Sequence, residues 1–142
     1  MDNTAKLIAR RFIEEAVNTG DLDRVAQFVT PDLVDEMKRH ILGVRSTYPD
    51  LQVTVRQQIA EGDLVVTRVT AKGTHTGTFC SIPPTNKQIV IEGVNIDRIT
   101  NGMIVRHWGA ANTFEALVAI GALPLPPDSK LNTFGFSGRL RP

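Results

Sequence analysis

The chain has 142 residues, of which 42% are hydrophobic and 22% are charged, a balance that fits one compact domain with its own core. Sixteen basic and fifteen acidic side chains nearly cancel, so no strong field favours nucleic acid or an anionic membrane as a partner. The single Cys80 cannot form an internal disulfide, and no stretch resembles a signal sequence or a membrane span. We therefore expect a soluble, cytoplasmic protein.

The N-terminal third of the chain carries three helical patterns. Residues 4–17 repeat apolar side chains every three to four positions, which predicts an amphipathic helix. Asp21 is placed to cap a short second helix over 22–29. A third helix is predicted over about 32–46, and Pro49 ends it.

After Leu51 the apolar period changes from that of a helix to the two-residue period of strands. Four strands are predicted in this way, at about 51–60, 64–75, 88–99 and 103–112. A last helix over 113–120 ends at Gly121, and the tail that follows is rich in Pro, Gly and Ser. Helices followed by a four-stranded meander predict an α+β domain over 1–124 and a C-terminal tail over 125–142.

Several of these segments resemble one known family. They are FIEEAVNTGDLDRVAQFVTPDLVD, YPDLQVTV, GTHTGTFCSIPPTNKQIVIEGVNIDRITNGMIVRHW and LVAIGALP. Together they are similar to the SnoaL-like polyketide cyclases, and the resemblance covers nearly all of residues 5–124. It implies the cone-shaped fold shared with nuclear transport factor 2 and ketosteroid isomerase, in which a curved antiparallel sheet and three N-terminal helices enclose an apolar pocket. It also implies a homodimer and a small hydrophobic metabolite as ligand.

The resemblance places the family's catalytic histidine and aspartate at Asn95 and Gly109. An asparagine can still donate a hydrogen bond to an enolate oxygen, but a glycine can move no proton. His107 is therefore the candidate acid–base residue, with Asp97 orienting it and Asn95 as hydrogen-bond donor. A structural role for this His107 and Asp97 pair, as a hydrogen bond across a hairpin, remains the alternative.

The hairpin register decides which side chains share a face. A two-residue turn would pair Thr100 with Met103, whereas a three-residue loop would pair Ile99 with Met103 and place Asn95 opposite His107. We favour the second register, because it brings the family's two catalytic positions to one face. That register predicts an inner face of Ile91, Gly93, Asn95, Asp97, Val105, His107, Gly109 and Ala111. The opposite face, suited to solvent or a partner subunit, would carry Glu92, Val94, Arg98, Ile104, Arg106 and Trp108.

Further positions are candidates for substrate binding, namely Tyr48, His75, Ile91, Val105 and Gly109. For Tyr48 and His75 the alternative is structural, in anchoring a helix end or a turn. Asn112 is followed three residues later by Glu115, which predicts a helix cap and not a catalytic group. Cys80 has no basic neighbour in sequence, so we expect no nucleophile there.

No metal-ligand spacing or phosphate-binding glycine motif is present, and we expect neither metal nor cofactor. Two functions of different classes follow. The first is a cofactor-independent enzyme of the cyclase, isomerase or hydrolase type acting on a ring-shaped or carbonyl-bearing metabolite. The second is a non-catalytic module that binds a ligand or dimerises.

Overall fold

The computed structural model describes residues 3–124 as helices packed on one curved antiparallel sheet. The three α-helices are α1 (Thr4–Phe12), α2 (Val34–Thr47) and α3 (Thr113–Ala119). The four strands are β1 (Gln52–Glu61), β2 (Leu64–Thr74), β3 (Gln88–Thr100) and β4 (Met103–Ala111). The predicted α+β class is confirmed, and the predicted tail over 125–142 lies outside the described residues.

The first helix widens in its last turn. It is α-helical over Thr4–Phe12 and π-helical over Ile13–Val17, where the sequence pattern predicted one continuous helix. Immediately afterwards the Asn18 amide donates to the Val53 carbonyl at 2.9 Å and accepts from the Val53 N–H at 2.8 Å. This pair of bonds attaches the helix end to the outer edge of β1.

The helix α2 covers the sheet and is held at its C-terminal end by one side chain. It follows two short 3₁₀ segments, Leu22–Gln27 and Pro31–Leu33, and Asp21 caps the first by accepting from the Asp23 N–H. Near the end of α2 the Arg45 guanidinium donates to backbone carbonyls at the end of the first helix and in the segment between α2 and β1. Those carbonyls belong to Val17, Asn18, Pro49 and Leu51. The guanidinium thereby fixes the position of α2 over the strands.

The sheet is a meander in the order β1-β2-β3-β4, with every neighbour antiparallel. A bulge interrupts β1 between Val55 and Gln57, and another interrupts the pairing of β3 with β4. Bulges increase local twist and bend the strand that contains them. The sheet therefore curves around the helices.

The β3–β4 hairpin differs from the predicted register. Asn101 and Gly102 both have positive φ, 51° and 76°, as a two-residue type I′ turn requires, and Thr100 pairs with Met103. A bulge then skips Val105, so that Ile99 pairs with Ile104 but Asp97 pairs with His107. The favoured three-residue loop was wrong, and Asn95 lies opposite Gly109 instead of His107.

The bulge also changes two facing assignments. Ile104, predicted on the partner face, is fully buried in the core, because the two-residue turn places it opposite the buried Ile99 before the bulge reverses the alternation. Val105, predicted on the inner face, is the unpaired residue of the bulge. The predicted inner face still holds four of its polar and glycine positions together, Asn95, Asp97, His107 and Gly109. The two-residue turn and the extra residue of the bulge together give these residues the same alternation as a three-residue loop would.

Two clusters of buried apolar side chains flank a gap between the helices and the sheet. One cluster, near the hairpin turn, includes Phe12, Met37, Val65 and Ile104; the other lies at the opposite end of the sheet. The second cluster is built from Tyr48, Leu51, Ile89, Ile91, Ala116 and Ile120. The space between them is a cavity.

Candidate functional site

The cavity has a volume of about 450 Å³ and lies between α1, α2 and the inner face of the sheet. A volume of this size suits a small organic ligand of a few rings. Most of its wall is apolar. The apolar side chains come from Phe12, Ile13, Val17, Met37, Val44, Leu51, Val53, Val69, Ala71, Ile89 and Ile91, and the polar ones from Glu36, His40, Tyr48, Asn95 and His107. Glu92 also belongs to the lining, although its carboxylate pairs with Arg68.

The strongest polar feature of the cavity is a hydrogen-bonded pair on the sheet. Asp97 Oδ1 lies 2.6 Å from His107 Nδ1, and the two residues are direct cross-strand partners. The side chain of Asp97 is 3% exposed and that of His107 is 13% exposed. A carboxylate can only accept, so Nδ1 donates and Nε2 is the ring nitrogen left for a ligand.

The basic residue next to Asp97 in sequence does not compete for it. Arg98 points to the other face of the sheet and pairs with Asp63 at 3.2 Å. The buried carboxylate therefore has His107 as its charged or polar side-chain partner within the described residues. A buried carboxylate in this position stabilises positive charge on the imidazole when His107 takes up a proton.

Beside the pair, Gly109 leaves a recess in the wall. A methyl group built on Gly109 would lie 3.1 Å from Asn95 Oδ1 and 3.5 Å from His107 Nε2. The Asn95 side chain makes no hydrogen bond to any described residue, so its amide is available to a ligand. The absent side chain thus opens the space in which an amide and a ring nitrogen converge.

A second polar group comes from α2 and was not singled out from the sequence. Glu36, His40, Val44 and Tyr48 all line the cavity at four-residue intervals, as one row along the helix. The ring centroids of His40 and His107 are 6.4 Å apart. The pKa of His40 is lowered by burial and secondarily by the nearby His107, while Glu36 opposes the shift.

The His40 side chain is accessible to solvent through the cavity that it lines. Protein atoms still surround the ring, and this partial desolvation lowers its pKa. The four-residue spacing of Glu36, His40, Val44 and Tyr48 was the signal that could have identified this row. The apolar stripe of Met37 and Ile41 next to it dominates the helical pattern.

Apart from its two histidines, the described lining of the cavity has acidic residues and no basic one. Glu36 forms no salt bridge within the described residues, whereas Glu92 pairs with Arg68 at 3.1 Å. No Lys or Arg belongs to the lining in the part of the chain that the structure describes. The cavity therefore favours uncharged or cationic groups over anions.

The residues predicted to bind substrate divide into two sets. Tyr48, Ile91 and Gly109 line the cavity. Val105 does not, and neither does His75, which is fully buried beside Tyr48 with ring centroids 6.1 Å apart. The roles of all five as ligand contacts stay predictions.

His75 organises the loop between β2 and β3. Its Nδ1 accepts the Thr85 N–H at 3.2 Å and lies 2.9 Å from Thr85 Oγ1. Its Nε2 is buried without a hydrogen-bond partner among the described residues. Tyr48 packs beside His75 and also lines the cavity. Burial raises the pKa of the Tyr48 phenol.

The remaining candidates have structural surroundings. Asn112 Oδ1 accepts the Glu115 N–H at 3.1 Å and its amide donates to the Glu115 carboxylate, which confirms the predicted cap of α3. Cys80 is exposed in the loop. Within residues 3–124, no three His, Cys, Asp or Glu side chains are grouped so that they could hold a metal ion. No helix in that range is long and apolar enough to cross a membrane.

Comparisons with known proteins agree with this architecture. A family model described as SnoaL-like polyketide cyclase matches residues 7–120. No curated protein sequence matches the chain. Among solved structures, TsrD from Streptomyces laurentii is similar with a TM-score of 0.79 and 24% identity, covering 87% of this chain and 99% of that one.

Two further structures are similar at slightly higher identity. AclR from Streptomyces galilaeus, a proposed hydroxylase, has 29% identity and a TM-score of 0.77, with coverage of 87% of this chain and 85% of that one. IdmH from Streptomyces antibioticus, a proposed polyketide cyclase, has 26% identity and a TM-score of 0.74, with coverage of 82% and 98%.

Proposed function

The chain belongs to the SnoaL-like polyketide cyclase family, and on that premise we propose that it is a cofactor-independent enzyme that moves a proton next to a carbonyl group. Its substrate is a hydrophobic, ring-shaped metabolite. The observation that carries the proposal is the His107 and Asp97 pair in the wall of an apolar cavity. Similarity to a proposed hydroxylase and a proposed polyketide cyclase supports a small-molecule substrate.

The proposed reaction begins at the free nitrogen of His107. Nε2 removes a proton from the carbon next to the carbonyl, and the electron pair of that C–H bond becomes the carbon–carbon double bond of an enolate. The buried carboxylate of Asp97, held at Nδ1, stabilises the imidazolium that results. Asn95 has its Oδ1 at the recess beside Gly109, and rotation of the amide brings Nδ2 there to donate a hydrogen bond to the oxygen.

This proposal accounts for the two departures from the family pattern. The positions that carry the family's histidine and aspartate, Asn95 and Gly109, are cross-strand partners. The next inward-facing pair toward the turn is Asp97 and His107, which has the same two side-chain types with the strands exchanged. The chain thus keeps a histidine and a carboxylate in the cavity, one pair further along the hairpin.

A test needs no knowledge of the natural substrate. The ring ketone 2-tetralone exchanges its α-hydrogens for deuterium in D₂O when a base removes them, and proton NMR follows the loss of signal. We expect the full chain to accelerate exchange above the buffer rate. His107→Gln should lower the accelerated rate by about 10²–10⁴-fold, the usual contribution of a positioned base.

Arg106→Gln is the matched control, since Arg106 neighbours His107 but is exposed and does not line the cavity. It should exchange like the parent chain. If the parent chain and His107→Gln exchange equally, the proposed function is wrong.

The second candidate function is a non-catalytic ligand-binding module. The observation that favours it is the glycine at position 109, which removes a proton-transferring side chain from the family's position. A chain that binds 2-tetralone with micromolar affinity and shows no accelerated exchange would support this second function. Localisation to the cytoplasm remains part of the proposal, and the unpaired Cys80 fits a reducing compartment.

A further inference from the structure

His40 faces the catalytic pair from the opposite wall of the cavity. It lies on α2, above the sheet, whereas His107 lies on β4. Their ring centroids are 6.4 Å apart with an angle of 53° between the ring planes, and no hydrogen bond joins the two rings. A ligand group in the cavity can lie beside both rings, since hydrogen bonds reach about 2.9 Å from a ring nitrogen.

The two rings have different charged neighbours. His107 has the buried Asp97 carboxylate at its Nδ1, so positive charge formed in the cavity is held there. His40 has Glu36 one helical turn away, but burial and the facing His107 outweigh it and lower the pKa of His40. Two facing imidazoles are costly to charge together. His40 is therefore the neutral member when His107 carries a proton.

A neutral imidazole is a hydrogen-bond donor through its ring N–H. We propose that His40 is a second catalytic residue, which donates this hydrogen bond to the substrate's carbonyl oxygen while His107 moves the proton on the adjacent carbon. The inference rests on the proposed function, because it needs a carbonyl-bearing substrate in the cavity. It adds a group from the helical wall to the residues of the sheet.

The step balances without any other reactant. The C–H bond breaks, its proton goes to His107 Nε2, and its electron pair forms the carbon–carbon double bond. The π electrons of the carbonyl move to the oxygen, where negative charge develops. His40 keeps its own proton and stabilises that charge by the hydrogen bond, from the wall opposite Asn95.

The deuterium exchange of 2-tetralone tests the role of His40. His40→Leu removes the donor and should lower kcat for exchange by about 10²–10³-fold, as the loss of one oxyanion donor does. His40→Gln keeps an N–H donor but cannot carry a proton near neutral pH, and should recover activity to within about tenfold of the parent chain. Arg39→Leu, the same change at the next position of α2, should leave exchange unchanged.

The results separate this inference from the proposed function. If the parent chain accelerates exchange and His107→Gln abolishes it, but both His40 variants exchange like the parent, only the role of His40 is overturned. Equal loss in His40→Leu and His40→Gln also overturns it, because a donor role must survive in glutamine. If the parent chain does not accelerate exchange, the proposed function and this inference both fail.

A second measurement observes ligand binding on the parent chain itself and uses a variant only to assign signals. The aromatic alcohol 2-naphthol resembles the enol of 2-tetralone, and its binding to the parent chain can be followed by ¹⁵N NMR of histidine side chains. The chain has three histidines, so the His40 signals are assigned by their loss in His40→Gln. We expect a ring nitrogen of His40 to shift on binding. Binding of 2-naphthol that leaves the His40 nitrogens unshifted overturns the inference.

Discussion

Asp97 and His107 are direct cross-strand partners, and the 2.6 Å contact between Oδ1 and Nδ1 ties a buried carboxylate to the residue that faces the cavity. The carboxylate has lost almost all of its contact with water. The free-energy cost of burying this carboxylate is therefore offset by its hydrogen bond to the imidazole.

The first prediction concerns this dependence. His107→Leu leaves the carboxylate buried without its partner and should lower the free energy of unfolding by about 3–5 kcal/mol. His107→Gln keeps an N–H donor within reach of Asp97 and should cost much less. Urea denaturation measures both. Equal stability of His107→Leu and the parent chain would show that Asp97 finds another partner.

The second prediction concerns the cap of α3. Asn112→Ala removes the acceptor of the Glu115 N–H and should cost about 1 kcal/mol in thermal or urea unfolding. Asn112→Asp keeps that acceptor. It replaces the amide that donates to the Glu115 carboxylate in the parent chain with a second carboxylate.

The cost of Asn112→Asp should depend on pH. Burial, and secondarily Glu92, already raise the pKa of Glu115, so the folded chain binds a proton there more readily than the unfolded chain. Stability from this group is present at acid pH and falls as pH rises through the raised pKa. The variant should therefore lose stability relative to the parent as pH rises above about 4, where glutamic acid ordinarily ionises. A pH-independent difference would contradict this reasoning.

The third prediction follows from His40. Burial and the facing His107 lower its pKa in the fold, so the unfolded chain binds the proton more readily. The contribution of this group is intact above the unfolded value of 6.5 and is lost as pH falls through the lowered folded value. His40→Gln should therefore lose less thermal stability than the parent chain between pH 7 and 5. Arg39→Gln should follow the parent, and a His40→Gln profile parallel to the parent's would count against the shift.

The fourth prediction concerns ligand charge. The lining carries Glu36 without a salt bridge and no Lys or Arg within the described residues. The ketone 2-acetonaphthone should therefore bind at least about tenfold more tightly than the anion of 2-naphthoic acid, a difference of ~1.4 kcal/mol. Glu36→Gln should reduce this difference in affinity. Glu14→Gln is the control and should not reduce it, because Glu14 is exposed after the end of α1 and pairs with Arg10. Titration calorimetry measures these affinities, and tighter binding of the acid would refute the charge argument.

The fifth prediction concerns the outer face of the sheet. Val94, Ile96 and Trp108 are 39%, 36% and 47% exposed, and the last two are cross-strand partners. An exposed aromatic and aliphatic patch is costly in a lone subunit, so we expect a homodimer that covers it. Trp108→Glu should shift light scattering at micromolar concentration to the monomer mass. Thr100→Glu, near the hairpin turn, is the control, and a monomeric parent chain would remove the argument.

Periodicity in the sequence was sufficient for the positions of the helices and strands, but not for the π-helical turn at Ile13–Val17 or for all of the strand pairings. The strands followed from strict alternation, and the cap at Asn112 from its spacing to Glu115, because both are local. The register of β3 with β4 depends on the φ angles of Asn101 and on a bulge at Val105, which apolar alternation does not encode. The bulge reverses the alternation, but the consecutive apolar residues Met103, Ile104 and Val105 conceal the point of reversal in the sequence.

The site was predictable only where it lies on one hairpin. Asn95, Asp97 and His107 come close because short-range pairing of neighbouring strands brings them together. His40 comes from a helix far earlier in the chain, and its approach to His107 depends on how α2 packs over the sheet. That packing is fixed in part by Arg45, whose backbone contacts have no signature in the sequence.

The extra residue at Val105 has a consequence for how such a protein can change over generations. If the unchanged sequence paired without the bulge, the alternation of β4 would carry Trp108 inward and His107 outward. Deletion of Val105 would instead leave His107 opposite Asp97, so the bulge absorbs a one-residue difference in length without exchanging the two faces. Point substitutions act differently, because they move a functional pair along the inward row in steps of two residues. The hairpin therefore allows gradual relocation of the pair by substitution, while a bulge keeps the two faces unchanged when the strand gains or loses one residue.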